Sequence, residues 1–192
     1  MSVIDDDEAE APGRLGLVEA FINTVELPDG EDKLATPDSA RAWLNAHDIP
    51  TAELDETSRR RLVELREAMR DLLEGNERGD VPAEAAELIM QRLNASRLAL
   101  VISSYGTHTH PAAGATGIEA FHAELAAAMI TASIDGTWPR LKVCHNEQCR
   151  WAFYDRSKNG RRAWCSMASC GCQAKARAYR ARKRESSLNA VD

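Results

Sequence analysis

The sequence predicts a mainly α protein: an N-terminal helical domain with one small β-hairpin, then a C-terminal treble-clef-like module ordered knuckle, β-hairpin, knuckle, helix. Three observations predict it. Apolar residues recur at helical spacing in five segments between positions 15 and 134. All five cysteines fall within 144–172, four of them as two C-x4-C pairs, Cys144/Cys149 and Cys165/Cys170. The net charge of −6 hides a division: residues 141–192 carry twelve Lys/Arg against four Asp/Glu, so the rest is strongly acidic.

Residues 1–13, with Asp5-Asp6-Asp7-Glu8, read as a disordered acidic N-terminus. Leu15, Leu17, Val18, Phe21, Ile22 and Val25 predict a helix over about 15–26. Thr36-Pro37 starts the next helix, with Thr as N-cap, Pro at the first helical position and Asp38 in the first turn. Trp43 and Leu44 are its core face. Residues 55–75 form the longest amphipathic pattern, ended by Gly75-Asn76 and Gly79. Arg59, Arg60, Arg61, Arg66 and Arg70 on it suit either a nucleic-acid face or helical pairing with Glu56, Glu64, Glu67, Asp71 and Glu74. Pairing is the better reading, since every arginine has a carboxylate within a helical turn.

Pro82 opens a further helix. Leu98 to Ile102 reads as a strand, paired with Thr107 to Pro111 across a turn near Tyr105-Gly106. His108 and His110 alternate on that partner strand without a third ligand, so they read as a surface pair. Ile118 to Ile134 is an alanine-rich helix whose inner face is Phe121, Leu125, Met129 and Ile130. The helical domain is expected to span 14–138 and the finger 139–185, with a tail at 186–192.

Two close cysteine pairs about fifteen residues apart can bring four thiolates to one tetrahedral zinc. A disulfide framework is the weaker reading, because the helical part has no cysteine and no secretory segment precedes it. Four sulfurs leave no open position, so one structural zinc per chain is expected rather than a catalytic one. His145 then reads as a surface residue. Between the pairs, Trp151, Phe153 and Tyr154 read as a strand, Ser157-Lys158-Asn159-Gly160 as a turn, and Arg161 to Trp164 as its return strand. Metal removal should melt 141–184 and leave the helical domain folded.

The residues Cys144, Cys149, Phe153-Tyr154-Asp155, Ser157, Gly160, Arg162, Trp164-Cys165-Ser166-Met167, Cys170-Gly171, Lys175, Arg177, Tyr179 and Arg182 resemble the CGNR zinc finger. Phe21-Ile22-Asn23-Thr24 resembles the signature that opens the ABATE domain, and the Thr-Pro helix with its Trp-Leu pair is similar to that family as well. The resemblance implies a stress-induced bacterial transcription regulator. One departure is plain: the family's Cys-Gly-Asn-Arg is here Cys170-Gly171-Cys172-Gln173. Cys170 and Cys172 are two apart and point to different sides of a helix. Cys172 is therefore expected to be a non-ligand, a buried or half-buried filler against the hairpin.

Arg161, Arg162, Lys175, Arg177, Arg180, Arg182, Lys183 and Arg184 are the candidate nucleic-acid contacts. Arg177, Arg180 and Arg184 share a face at helical spacing, and the alanines between them allow close approach to a DNA groove. Asn23 and Thr24 are candidates for a cap or a ligand pocket. The expected protein is a cytoplasmic DNA-binding regulator, with a helical domain that senses a small effector or forms a homodimer. No apolar run approaches a membrane span. No nucleophile–base motif, phosphate-cradling glycine loop or metal-hydrolase pattern is present, so it is not expected to be an enzyme. A protein–protein adaptor using the basic finger is the alternative, ahead of an enzyme with its site in the helical domain.

Overall fold

The computed structural model describes residues 10–27, 30–104 and 106–188. The chain is mainly helical, with two small antiparallel hairpins. Helix α1 is Leu15–Ile22, α2 Pro37–Ala46, α3 Glu56–Arg78 and α4 Ala83–Leu93. Strands β1 (Leu98–Ser103) and β2 (Gly106–Pro111) form the first hairpin, and α5 (Gly117–Ile134) follows. Strands β3 (Leu141–Val143) and β4 (Ala152–Tyr154) form the second, and α6 (Cys172–Leu188) ends the described chain. Among the described residues, no helix is long and apolar enough to cross a membrane.

Helix α1 stops at Ile22, short of the predicted 26. Thr24 turns its hydroxyl back to the Phe21 carbonyl (2.9 Å), and Val25 leaves the helix to bridge Asp32. The Thr36 start of α2 is a reciprocal cap: the Ser39 amide donates to Thr36 Oγ1 (3.1 Å) and the Thr36 amide to Ser39 Oγ (3.0 Å). Helix α3 runs through Gly75, where the sequence predicted a stop. A Cβ at Gly75 would lie 2.5 Å from the Asp80 carbonyl oxygen and 2.7 Å from Pro82 Cδ. Gly75 therefore lets the α3–α4 turn fold back onto α3. The real stop is Gly79, in the left-handed region at φ +71°.

The core is built on Phe21, Trp43 and Phe121, with Phe21 and Phe121 edge to face at 4.8 Å. Ala128 and Ala132 line the inner face of α5, whereas Ile130, expected there, is 46 % exposed. The acidic N-terminus was expected to be disordered to Gly13. Residues 1–9 lie outside the described residues, but Ala11 is buried in the core and its amide donates to Glu19 Oε2. Of the tail expected at 186–192, residues 186–188 are helical, since α6 continues to Leu188, and 189–192 lie outside the described residues.

Leu141, Val143, Ala152 and Tyr154 belong to the same core cluster as the helices. The cysteine module is thus built outward from a hairpin that packs into the helical body.

His122 on α5 is held neutral. Burial, then the nearby Arg92 charge, lowers it from its ordinary 6.5 to about 4. Between those values the unfolded chain binds the proton and the folded chain does not. This stabilisation is therefore present above pH 6.5 and is lost as pH falls toward 4, by about 3 kcal/mol. Urea titrations across that range should show a shallower loss for His122→Gln than for the parent. Equal slopes would mean that His122 is not the group responsible.

Candidate metal centre and basic helix

The sulfurs of Cys144, Cys149, Cys165 and Cys170 lie within 4.8 Å of one another. Cys149 and Cys165 are 3.7 Å apart, and Cys165 and Cys170 3.9 Å. A tetrahedral ion with metal–sulfur bonds of about 2.3 Å spaces its sulfurs by about 3.8 Å. A disulfide needs about 2.05 Å, and all five cysteines are free thiols. The donor set therefore fits one zinc and does not fit a bridge.

The electrostatics agree. Hydrogen bonds from Cys149 and Cys165 draw Cys144 well below the ordinary thiol range. The same contact with Cys144 pushes Cys149 up to about 12, and Cys165 is pushed up as well. Cys144, Cys149 and Cys165 thus resist ionising together. A bound divalent cation would offset that repulsion and favour the thiolate form of its ligands.

Each pair is held by local backbone geometry. In the first turn, the Cys149 amide (2.7 Å) and the Arg150 amide (3.0 Å) both donate to the Asn146 carbonyl, with Arg150 left-handed at φ +48°. The second pair closes through a single wide turn, Met167–Gly171, where Ser166 Oγ accepts from the Ser169 amide (3.3 Å). Asn146, 5 % exposed, sits beneath the cluster. Its amide nitrogen reaches Cys170 Sγ and Gln173 Oε1, both at 3.5 Å, and its oxygen accepts from Arg177 (3.3 Å). One side chain thus links the second pair to α6. Sequence reasoning passed over Asn146; its only signal was an amide side chain inside the first C-x4-C turn.

The finger's hairpin is not the one predicted. β4 pairs with β3, which precedes the first cysteine pair, and residues 161–164 form no strand. The Ser157–Gly160 turn is present, with Gly160 at φ +59°. Beyond it the Ala163 carbonyl accepts from the His145 amide (3.0 Å), and the other backbone groups named here take side-chain partners instead of a strand. Lys142 Nζ donates to the carbonyls of Gly160 (2.8 Å) and Arg162 (3.3 Å). Asp155 accepts from the amides of Ser157 (2.9 Å) and Arg162 (2.8 Å) and pairs with Lys142 at 3.1 Å. Burial opposes the Asp155 charge, but these donors hold its carboxyl at about 2.

Asn23, Arg70 and Arg150 help latch the finger to the helical body. Asn23 makes a two-way amide pair with Ala152, 2.8 Å in each direction. Arg70, fully buried, donates to the carbonyls of Ile22 and Arg150, each at 2.6 Å. Arg150 in turn reaches Asp71 (2.7 Å) and Glu74 (3.2 Å) of α3.

The candidate pocket residues are placed accordingly. Thr24 is buried and accepts from Arg66 Nη1 at 3.0 Å. Asn23 lines a cavity of about 870 Å³ together with Trp43, His47, Glu19, Lys33 and Trp151, although its amide is already paired with Ala152.

The candidate nucleic-acid residues divide. Arg162 braces the finger: its guanidinium donates to the carbonyls of Trp164 and Cys165 and lies over the Phe153 ring at 5.1 Å. Arg161, Lys175, Arg177, Arg180, Arg182 and Lys183 are exposed. Arg184 lies on the α6 backbone and its side chain is outside the described part. Arg180 Nε returns to the Ala176 carbonyl at 3.2 Å. Cys172 is exposed and outside the cluster, so it is not the half-buried filler expected. The helix begins at Cys172 and its first turns face solvent, leaving nothing for that side chain to fill. His145 is likewise exposed, edge-on to Trp164 at 5.8 Å.

Arg59 and Arg60 pair with Glu56, and Arg66 with Glu67, as expected, while Arg66 also pairs with Asp32 outside the helix. The burial of Arg66 and Arg70 was not foreseen, though their spacing from Leu62 and Leu73 puts them on the core face.

No curated protein matches the chain. The sequence model of the CGNR zinc finger matches residues 140–183. The ABATE model, described as "Putative stress-induced transcription regulator", matches residues 15–135, more than half of the chain. With that match over residues 15–135 and the finger match following it, the chain belongs to the ABATE family and carries a CGNR zinc finger.

Proposed function

We propose that the protein is a DNA-binding transcription regulator in which a zinc-held finger presents α6 to the duplex. One observation carries this reading. From Cys172 to Lys183 every α6 residue except the half-buried Ala174 is exposed, and six of those residues are basic or aromatic at well-spaced positions: Lys175, Arg177, Tyr179, Arg180, Arg182 and Lys183. A helix that is polar all round gains little from its own protein. Anchored at one end by the cysteine cluster and Asn146, it is held out as a rigid basic rod that suits a major groove. Phosphate contacts would supply most of the affinity.

The acidic body repels nucleic acid, so it orients the finger outward. The cavity of about 870 Å³ joins α1 and α2 to Trp151 of the finger, which makes it the natural seat for a small effector able to shift the finger. Such a regulator would act in the bacterial cytoplasm.

The test compares two triple variants on duplex DNA over a salt series. Replacing Arg177, Arg180 and Arg184 by Ala should weaken binding and reduce the slope of log K against log salt by about 3, one phosphate contact each. Replacing Arg59, Arg60 and Arg61 should leave the slope unchanged. Zinc content must stay at one per chain in both. The reverse pattern, or a parent protein that DNA does not retain at low salt, refutes the assignment.

A further inference from the structure

Strand β1 reads Leu98-Ala99-Leu100-Val101-Ile102-Ser103 and carries no charge. Among the described residues, no member of β1 or β2 belongs to either core cluster. Leu100 is 66 % and Ile102 78 % exposed. Strand β2 packs against α5, but a two-stranded hairpin has little stability of its own in water. Proteins ordinarily break an unpaired apolar edge with charge, proline or a bulge, and β1 has none of these.

The hydrogen-bond phase of the hairpin shows which backbone groups face outward. The Ala112 amide donates to the Arg97 carbonyl at 2.8 Å, one step beyond the register Leu98↔Pro111. Antiparallel pairs alternate between bonded and unbonded. Ala99, Val101 and Ser103 therefore bond toward β2, and the amides and carbonyls of Leu98, Leu100 and Ile102 point to the open edge. The side chains of those same three residues share one face. The exposed apolar side chains and the outward backbone groups thus belong to one set of residues.

We propose that a second copy of this chain pairs along this edge, β1 against β1, antiparallel about a two-fold axis through Leu100. The result is a four-stranded sheet. A two-fold interface must be complementary to itself, and this one is. Centring on Leu100 sets Leu98 opposite Ile102 of the second copy and Leu100 opposite its own equivalent. All three outward-facing residues then meet outward-facing partners in bonded pairs. Arg97 falls opposite Ser103 of the second copy, so no like charges meet. Six apolar side chains gather on one face, where each chain alone exposes Leu100 and Ile102 and half-buries Leu98. The surface is separate from α6 and from the cysteine cluster, so the proposal does not depend on DNA binding.

Sedimentation of the zinc-loaded full-length protein over a concentration series tests it. The parent should sediment as two copies. Leu100→Lys sets two ammonium groups face to face at the axis, and should raise the dissociation constant by about a hundredfold or more. Leu98→Lys alone and Ile102→Glu alone should each weaken the pair. The two together should restore it, because each introduced lysine then faces the other copy's introduced glutamate. Zinc content and amide protection at Ala99 and Val101 confirm that the hairpin stays folded. A parent that sediments as one copy at every concentration overturns the proposal and leaves the edge to a different partner. So does a dimer indifferent to Leu100→Lys. Failure of the double variant to restore association overturns the two-fold register.

Discussion

Withdrawal of the metal will unfold much more than the finger. Chelation, or Cys144→Ser, removes a site of a kind that contributes on the order of 10 kcal/mol to folding. That is comparable with the whole stability of an ordinary domain, about 5–15 kcal/mol. From the sequence alone, loss was expected to stop at residue 141. The structure argues otherwise, because β3 and β4 lie in the main core and the first cysteine turn is bonded to Arg70. Without the metal, Cys144, Cys149, Cys165 and Cys170 lose the ion that joins them, the turn at Arg150 opens, and the hairpin loses its outer support. Hydrogen exchange should show the amides of α1 and α3 losing protection together with those of β3 and β4, in a single thermal transition. Two transitions, with α1 and α3 still protected after the first, would show that finger and body are independent.

Arg70→Met should destabilise the protein by about 3–5 kcal/mol, the range for breaking a buried ionic network by removing one partner. Arg70 is wholly buried and satisfies two carbonyls, those of Ile22 and Arg150, while pairing with Glu67 at 3.0 Å. Burial pulls its pKa below the ordinary arginine range, and Glu67 works against that shift. Methionine fills most of the space but leaves both carbonyls without the guanidinium donor and Glu67 with Arg66 as its remaining cation. Arg70→Lys should recover little, since one ammonium cannot match a planar fork aimed at two carbonyls. Denaturant midpoints read the loss directly. Zinc affinity, measured by competition with a chromophoric chelator, should fall in parallel, because the Arg150 carbonyl belongs to the turn that carries Cys149. A midpoint shift below about 1 kcal/mol would place Arg70 among the ordinary surface pairs.

The helices were legible because their signals are local. Thr36-Pro37 is a cap wherever it stands, and the Leu98–Ile102 run with its Thr107–Pro111 partner needs only alternation and a turn. The four cysteines were legible because spacing alone limits what they can do. The misses arose where a distant part of the chain supplied the partner. Residues 161–164 have strand-compatible chemistry, but Lys142 and Asp155 reach their backbone first, and β3 takes β4 from the other side. Gly75 looked like a stop because its role depends on Asp80 and Pro82 folding back over it. Arg66 and Arg70 looked like surface charges because their acceptors, Thr24, Ile22 and Arg150, are scattered through the chain. Cys172 was expected to pack because its spacing from Cys170 turned it away from the metal, but Asn146 meets the helix at Gln173 and Arg177 instead and Cys172 is left exposed.

The pairing of Asn23 with Ala152 bears on how this architecture can be cut and rejoined. A side-chain amide there imitates a neighbouring strand, closing the outer edge of β4 with a donor and an acceptor from 129 residues earlier in the chain. A finger excised at residue 140 and grafted onto a new carrier would leave that edge bare and prone to recruit a stray strand. The transferable unit is therefore discontinuous. A chimera that keeps this finger must also keep the end of α1, or provide another amide at the same place.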